Sequence, residues 1–190
     1  MDRLAAVCER IASYSGRLKK IEILAEYLRA LDDADLARAV HLLCCGPFVH
    51  AEANSTLFGK EEARTLSIGS ATLRQACAAV TGWDAKILSR CAEEVGDSGE
   101  TISLLLHQRT REEPLSLARA EELYTALYQA RSTAAKIAIL KDAMQAYRPL
   151  ALKYFIKGIT GNLRIGLQAK MVEEAVALAM GASHEAVRMA

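Results

Sequence analysis

The stretch Lys20-Ile21-Glu22-Ile23-Leu24 recurs 116 residues later as Lys136-Ile137-Ala138-Ile139-Leu140. Apolar positions on either side recur in the same register: Val7 with Leu123, Ile11 with Leu127, Leu28 with Met144, and Leu43 with Ile159. Because apolar residues spaced three and four apart line one face of an α-helix, both stretches predict amphipathic helices. A repeat of this length predicts a helical fold built from two copies of one unit.

A shorter motif repeats in the same order at a different spacing. Leu66-Ser67-Ile68-Gly69 recurs 97 residues later as Leu163-Arg164-Ile165-Gly166. Each copy is followed by an alanine-rich helical pattern that stops at a glycine, Gly82 or Gly181. The difference of 19 residues between the two spacings predicts an insertion in the first copy, at 48–65.

These patterns predict a single all-α domain over residues 1–190, with about ten or more helices in antiparallel hairpins and two pseudo-symmetric repeats. We place repeat one at about 4–82, a helical connector at 83–119, and repeat two at about 120–181. Alanine- and leucine-rich helices align easily with one another, but two motifs in the same order favour a real duplication. After Gly181, residues 182–187 begin like 83–88 and the sequence then stops, which suggests a piece of a longer protein.

Composition narrows the class of protein. The 190 residues are 52% hydrophobic and 5% aromatic, with three prolines, which fits one helical core and argues against all-β or disordered architectures. The five cysteines are odd in number and have no C-x-x-C spacing, which predicts reduced, buried thiols in a cytoplasmic protein. No stretch approaches the roughly 18 apolar residues of a membrane span, so we expect no membrane partner.

Basic residues concentrate in one segment, 131–170. It holds eight basic residues and one acid, hence a charge of +7 within a chain of net charge +1. The basic residues are Arg131, Lys136, Lys141, Arg148, Lys153, Lys157, Arg164 and Lys170. A smaller group, Arg17, Lys19 and Lys20, lies at the equivalent junction of repeat one. Charge alone leaves two interpretations open: a nucleic-acid-binding surface, or ordinary solvated helix faces such as those of Lys136, Lys141, Lys153 and Lys157.

Glycine-bearing loops ahead of helices are candidate phosphate sites. A helix N-terminus has unpaired N–H groups and a partial positive charge, so such a loop can receive a phosphate at close range. Gly161-Asn162-Leu163-Arg164-Ile165-Gly166, before a helix predicted from about Gln168, has this form, and the guanidinium of Arg164 suits phosphate. Ser132-Thr133 and Ser15-Gly16 form two further junctions of this kind.

The sequence gives little support to a zinc site or a nucleotide-binding loop. His184-Glu185-Ala186-Val187-Arg188 lacks the second histidine of a zinc motif, and Leu167 stands where a P-loop requires lysine. We therefore predict no catalytic, cofactor-binding or metal-ligating residue. Trp83 and Phe155 lie in apolar stretches and are expected to fill the core.

The loop 161–167, with the helix Lys153-Tyr154-Phe155-Ile156-Lys157 before it, resembles the G-[DK]-L-R-[IL]-G-L loop of the all-helical DNA-binding domain in many ATP-dependent DNA ligases. Ser15-Gly16-Arg17-Leu18, the junction at 133–136, and Leu66-Ser67-Ile68-Gly69 fall where that domain has counterparts. The resemblance covers nearly the whole chain. It implies a bundle of about a dozen helices with internal pseudo-two-fold symmetry that grips the minor groove on both sides of a nick.

The resemblance also implies a set of DNA contacts. Arg164 with Gly161, Asn162 and Gly166 would contact the backbone and the minor groove, and Arg17 would do so from repeat one. Ser132 and Lys136 would contact phosphates, and Lys19, Lys20 and Lys170 complete the predicted surface. Two positions depart from the family pattern: Asn162, where Asp or a basic residue is frequent, and Ser67, which leaves the first loop without an arginine.

The resemblance implies that a larger enzyme containing this chain seals nicks in DNA repair, replication or recombination. That chemistry needs a nucleotidyltransferase core with a K-x-D-G motif, and no Asp in this chain is followed by Gly. We expect this chain alone not to be an enzyme, with ATP and Mg²⁺ belonging to the catalytic core. The expected partners are nicked double-stranded DNA and the catalytic core. We expect the chain to be a cytoplasmic monomer, which would be nucleoid-associated in a bacterium. The alternative is a helical protein-interaction scaffold without nucleic-acid binding.

Overall fold

The computed structural model describes residues 1–44, 46, 66–107, 110–161 and 163–189. These residues form eleven α-helices and no β-strand, which confirms the all-α expectation. The helices are α1 (Asp2–Ala12), α2 (Arg17–Arg29), α3 (Asp33–Cys44), α4 (Ser70–Thr81), α5 (Ala85–Val95), α6 (Ser98–Leu106), α7 (Leu117–Gln129), α8 (Thr133–Ala146), α9 (Pro149–Ile159), α10 (Ala169–Met180) and α11 (His184–Met189). The insertion predicted at 48–65 lies outside the described residues.

The helix ends follow local sequence signals. Side-chain oxygens of Asp84, Asp97, Ser116 and Ser132 accept backbone N–H groups in the first turns of α5, α6, α7 and α8. Ser183 does the same for the N–H of Ala186 in α11, as its correspondence with Asp84 predicts. The connector ends at Ser116, since α7 begins at Leu117, three residues before the boundary set near 120.

The two predicted repeats exchange helices, in the sense that helices of one repeat pack against helices of the other. Repeat one contributes α1 to α4 and repeat two contributes α7 to α10 in the same order. The hairpin α1–α2 is present, but extensive contacts join α2 to α10 and α4 to α8, and further contacts join α1 to α9 and α3 to α7. The predicted repeats therefore bury apolar helix faces against each other.

One core runs through both repeats. Tyr124 of α7 stacks on Phe155 of α9 with ring centroids 4.6 Å apart, and its hydroxyl donates to the Phe155 carbonyl at 2.9 Å. Phe155 fills the core as predicted, whereas the prediction for Trp83 is wrong because that side chain is 39% exposed. Trp83 lies in the three-residue turn between α4 and α5, where the backbone stays at the surface.

The connector helix α6 packs closely on α9. Gly99 makes this possible, because a Cβ at that position would lie 2.6 Å from the Lys153 carbonyl oxygen. The close approach brings Glu100, the next residue of α6, within reach of the lysines of α9.

The thiols differ in their surroundings. Cys8 and Cys77 are buried, as predicted, and burial raises the pKa of the Cys8 thiol to about 12. Cys44 is exposed and Cys91 is half-buried, so the expectation of buried thiols is wrong for Cys44, while Cys45 lies outside the described residues. Within the described part of the chain, no helix has the length and apolar character needed to cross a membrane.

Candidate nucleic-acid interface

Helices α2 and α10 lie side by side and run in the same direction. At the N-terminal end of α2, the Arg17 guanidinium donates to both carboxylate oxygens of Glu174, in the middle of α10, at 2.5 and 2.6 Å, and Lys20 reaches the Ile165 carbonyl ahead of α10. At their C-terminal ends, Arg29 donates to the carbonyl of Leu178 at 3.1 Å. Because partial positive charge gathers at helix N-termini, the parallel pair places two such ends next to each other.

Helices α4 and α8 form the equivalent pair. The Nζ of Lys136, the fourth residue of α8, donates at 2.8 Å to the carbonyl of Leu66, in the loop that leads into α4. The equivalent Lys20 of α2 donates at 3.0 Å to the carbonyl of Ile165, in the loop that leads into α10. The lysine of each K-I-x-I-L motif therefore contacts the L-x-I-G loop of the opposite repeat.

The two loops share an uncommon backbone conformation. Ser67 has φ 47° and the equivalent Arg164 has φ 52°, both in the left-handed region that L-residues seldom adopt. The adjacent Leu66 and Ile165 are buried, whereas Ser67 and Arg164 are exposed. In each loop, one exposed residue thus lies next to a buried apolar residue. The similarity of the two motifs extends to the backbone conformation of Ser67 and Arg164.

Arg164 lies at the surface against the turn between α5 and α6. One guanidinium nitrogen donates to the Gly96 carbonyl at 3.0 Å and lies 3.7 Å from the Asp97 carboxylate. The side chain nevertheless remains 55% exposed. A phosphate could therefore reach this guanidinium while the hydrogen bond to the Gly96 carbonyl still holds it in place.

Helix N-termini at the repeated junctions differ in how they are capped. Gly16 precedes α2 and Gly69 precedes α4, and neither has a side chain to cap its helix. Gln168 precedes α10 without a capping hydrogen bond from its side chain. Ser132 caps α8 itself, since its hydroxyl accepts the Ala135 N–H at 3.1 Å. The first turns of α2, α4 and α10 thus present N–H groups that no side chain of their own N-cap residue satisfies.

The remaining predicted contacts are spread around these junctions. Lys19 is exposed and lies 3.0 Å from Glu22 on the same helix. Lys170 is exposed in the first turn of α10, and Gly161 is exposed with φ 71° at the end of α9. Asn162 lies outside the described residues. The structure brings Arg17, Lys20 and Gly166 together at the α2–α10 junction, and Ser132 and Lys136 at the α4–α8 junction.

Two lysines of the basic segment are buried. The Lys153 Nζ lies 2.5 Å from Glu9 and 2.8 Å from Glu100, and the Lys157 Nζ lies 2.9 Å from Glu100 and 3.7 Å from Asp97. Their interpretation as solvated helix faces is therefore wrong. Because three carboxylates surround the two ammonium groups, the charge of +7 counted over 131–170 overstates what this segment presents to solvent.

The titration of this ion cluster follows from its contacts. Burial alone would raise the pKa of Glu100, but hydrogen bonds from Lys153 and Lys157 outweigh it and hold that pKa below its usual value. Burial alone would lower the pKa of Lys153, but hydrogen bonds with Glu100 and Glu9 raise it instead. Glu100 and Lys153 are consequently charged at neutral pH, and the ion pairs of the cluster join α1, α6 and α9.

Sequence analysis missed the groups that hold the two arginines. Glu174 pairs with Arg17 across 157 residues, and Gly96 accepts from Arg164 across 68 residues. Neither separation matches the spacing of the repeats, so no pattern in the sequence pointed to these partners. Both arginines are held in place before any ligand binds.

Comparisons with known proteins point to one family. The sequence profile of a family described as "DNA ligase N terminus" matches residues 1–177. A probable DNA ligase of Koribacter versatilis is 29% identical over 191 residues, which cover 100% of this chain and 31% of that protein. A probable DNA ligase of Opitutus terrae is 28% identical, covering 99% of this chain and 21% of that protein.

An archaeal relative is similar over the same extent. The DNA ligase of Methanopyrus kandleri is 26% identical over 195 residues, which cover 98% of this chain and 33% of that protein. The chain thus spans about a third or less of the length of these relatives. Because the family profile matches nearly all of it, the chain belongs to the DNA ligase N terminus family.

Proposed function

We propose that this chain is the DNA-binding domain of an ATP-dependent DNA ligase and binds duplex DNA around a nick through phosphates and the minor groove. The observation that carries the proposal is the junction of α2 and α10, where the exposed Arg164 belongs to the loop that leads into α10 and that Lys20, in the first turn of α2, contacts. Membership of the ligase family supplies the context of nick sealing.

Binding of this kind reads little base sequence. Backbone N–H groups at helix N-termini and guanidinium groups bind phosphate oxygens, which are the same at every base pair. The minor groove distinguishes base pairs poorly, so an arginine inserted there adds affinity more than specificity. We therefore expect similar affinity for duplexes of different sequence and a steep loss of affinity with salt.

The roles of the predicted residues follow from their placement. We assign direct DNA contacts to the exposed groups at the junctions: Arg17, Lys19, Ser132, Gly161, Arg164, Gly166 and Lys170. Arg17 reaches a phosphate by exchanging its bond to Glu174, which costs part of the affinity it supplies. Asn162 keeps its proposed role from the family resemblance.

ATP and Mg²⁺ belong, in this proposal, to a catalytic core outside this chain. The residues here fit neither group. Across the described ranges, no three His, Cys, Asp or Glu side chains are arranged to hold a metal ion. Leu167 follows the glycine loop where a P-loop would need lysine for nucleotide phosphates. We propose that the isolated chain is a monomer without sealing activity.

A titration of fluorescently labelled nicked duplex at several salt concentrations tests the proposal. Arg164→Ala should weaken binding to nicked and intact duplexes alike and reduce the salt slope by about one phosphate contact. Arg90→Ala is the matched control, because it removes the same charge from an exposed position on the connector helix α5. If Arg164→Ala leaves affinity and slope as in the parent, the site is assigned wrongly.

A protein-interaction scaffold remains the second candidate because of one apolar surface. Ile87 of α5 and Leu104 of α6 are 51% and 66% exposed and line a cavity of about 450 Å³ between the two helices. Exposed apolar residues grouped in this way are typical of docking surfaces. A scaffold without DNA binding would show no salt-sensitive affinity in the same titration.

A further inference from the structure

We propose that Lys20 and Lys136 are positioning residues, each holding the loop of the opposite repeat in its binding conformation without contacting DNA. The part of this inference that concerns DNA rests on the proposed function. The part that concerns the loop conformation rests on contacts within the chain and can be tested without DNA.

The ammonium group of Lys20 is already engaged inside the protein. Lys20 is buried, and its Nζ donates to the carbonyls of Ile165 at 3.0 Å and Gly166 at 3.5 Å. A buried charge is costly unless it is hydrogen-bonded, so these carbonyls hold the ammonium in place. Two of the three N–H donors of this ammonium are thus used inside the protein, and the side chain that carries it is buried.

The loop that Lys20 contacts needs an external support. Arg164 has φ 52°, a conformation that costs a non-glycine residue free energy and persists only where neighbouring groups enforce it. Ile165 and Gly166, whose carbonyls Lys20 binds, follow directly in the chain. Because Lys20 belongs to the other repeat, it supplies a fixed point that the loop itself does not contain.

Gly166 is the counterpart of Lys20 in this contact. Its φ is 68°, and a Cβ at this position would lie 2.5 Å from the Lys20 Nζ. A side chain there would have to displace the ammonium from its carbonyls. The two repeated motifs of the sequence, K-I-x-I-L and L-x-I-G, therefore meet in space as two halves of one contact.

Lys136 makes a related contact from a less buried position and to a different point of its loop, because Leu66 corresponds to Leu163 and not to Ile165. It is half-buried and donates at 2.8 Å to the Leu66 carbonyl, next to Ser67 with its φ of 47°. Gly69 has a φ of −87° and open space at its Cβ position, so this lysine does not depend on that glycine. We expect loop 66–69 to depend on Lys136 less than loop 163–166 depends on Lys20.

Hydrogen exchange of backbone amides tests the positioning role without DNA. Lys20→Met removes the donor and should speed exchange in 163–168 by about tenfold or more. Lys19→Met is the charge-matched control, because Lys19 is the neighbouring exposed lysine and its described partner is Glu22 on its own helix. The control should leave exchange in 163–168 unchanged. Unchanged exchange in the folded Lys20→Met protein would overturn the proposal.

A reciprocal variant keeps the test decisive if Lys20→Met does not fold. Lys136 is half-buried, so Lys136→Met costs less stability. It should speed exchange in 66–69 and leave 163–168 as in the parent. Faster exchange in 163–168 instead, or in neither loop, would contradict the crossed contacts on which the proposal rests.

DNA binding separates positioning from direct contact. Lys20→Met should lower the affinity for nicked duplex by about 3- to 10-fold with an unchanged salt slope, because no phosphate contact is lost. A slope reduced by about one would mean that Lys20 binds a phosphate directly, and the proposal would fail. If the parent itself binds no duplex, the proposed function fails, while the exchange experiment still decides whether the lysines hold the loops.

Discussion

Loop 66–69 and loop 163–166 share a left-handed second residue but differ in their last residue and in their chemical groups. The second residue is left-handed in both, yet it is a serine at 67 and an arginine at 164. The last residue is a glycine in both, but φ is −87° at Gly69 and 68° at Gly166. The similarity of the two loops thus holds for the conformation of the second residue and breaks at its side chain and at the glycine. We expect a nearly symmetric molecule to bind its duplex asymmetrically, with repeat two dominant.

The cores behind the loops differ as well, and this difference gives the largest expected effect. Phe155 in α9 corresponds to Ala39 in α3, and both are buried. Phe155→Ala gives repeat two the residue of repeat one and removes the ring stacked on Tyr124. We expect the free energy of unfolding to fall by about 3–5 kcal/mol, measured by urea denaturation.

The control for this change is Leu178→Ala, at a half-exposed position of α10. It should cost less than about 1 kcal/mol, because a side chain in water loses little packing on truncation. A similarly small cost for Phe155→Ala would mean that the two halves of the core are equivalent after all.

Acid stability probes the ion cluster, which only repeat two can form with its lysines, since Ala37 and His41 stand at the equivalent positions of Lys153 and Lys157. The pKa of Glu100 lies below its usual 4.5 in the folded chain, so its contribution to stability is present above that value. The contribution is lost as the pH falls through the folded pKa. Thermal unfolding between pH 7 and 3 should show a smaller loss on acidification for Glu100→Gln than for the parent.

The same variant should unfold at a lower temperature than the parent at pH 7, by less than Phe155→Ala. Asp142→Asn is the control, because Asp142 is exposed on α8. Equal acid sensitivity of parent and Glu100→Gln would show that this cluster does not govern stability at low pH.

Ser67→Arg sharpens the comparison of the loops and has the smallest expected effect. It gives repeat one the arginine of repeat two in a backbone that already accepts one there, so stability should change by less than about 0.5 kcal/mol. Affinity for nicked duplex should rise by about 3- to 10-fold at low salt, and the salt slope should steepen by about one. Ser67→Gln adds length without charge and should do neither. An unchanged slope in Ser67→Arg would place the first loop away from the duplex.

Local signals were enough to predict much of the fold. Two recurring motifs defined the helix order, and Asp84 and Ser132 marked helix starts because capping depends on residues a few positions apart. The helix after the glycine loop begins at Ala169, with Gln168 as its N-cap, within one residue of the expectation. These features depend on residues that lie close together in the sequence, so the sequence pattern shows them directly.

The roles of the lysines could not be predicted in this way. Lys153 finds Glu9 across 144 residues and Lys20 finds Ile165 across 145, so their neighbours come from the exchange of helices between repeats. A lysine beside apolar residues looks the same in sequence whether its ammonium meets water, DNA or a buried carbonyl. Counting charges therefore overestimated the number of cations that segment 131–170 presents to solvent.

The exchange of helices has a consequence for how the chain is made. During translation, α2 leaves the ribosome long before α10 exists, and the two carry residues whose contacts lie 145 and 157 positions apart. A half-synthesised chain has no surface on which α2 can complete its packing, so final folding must wait for the second half. For the same reason, one repeat expressed alone should complete its packing only by pairing with another copy of itself.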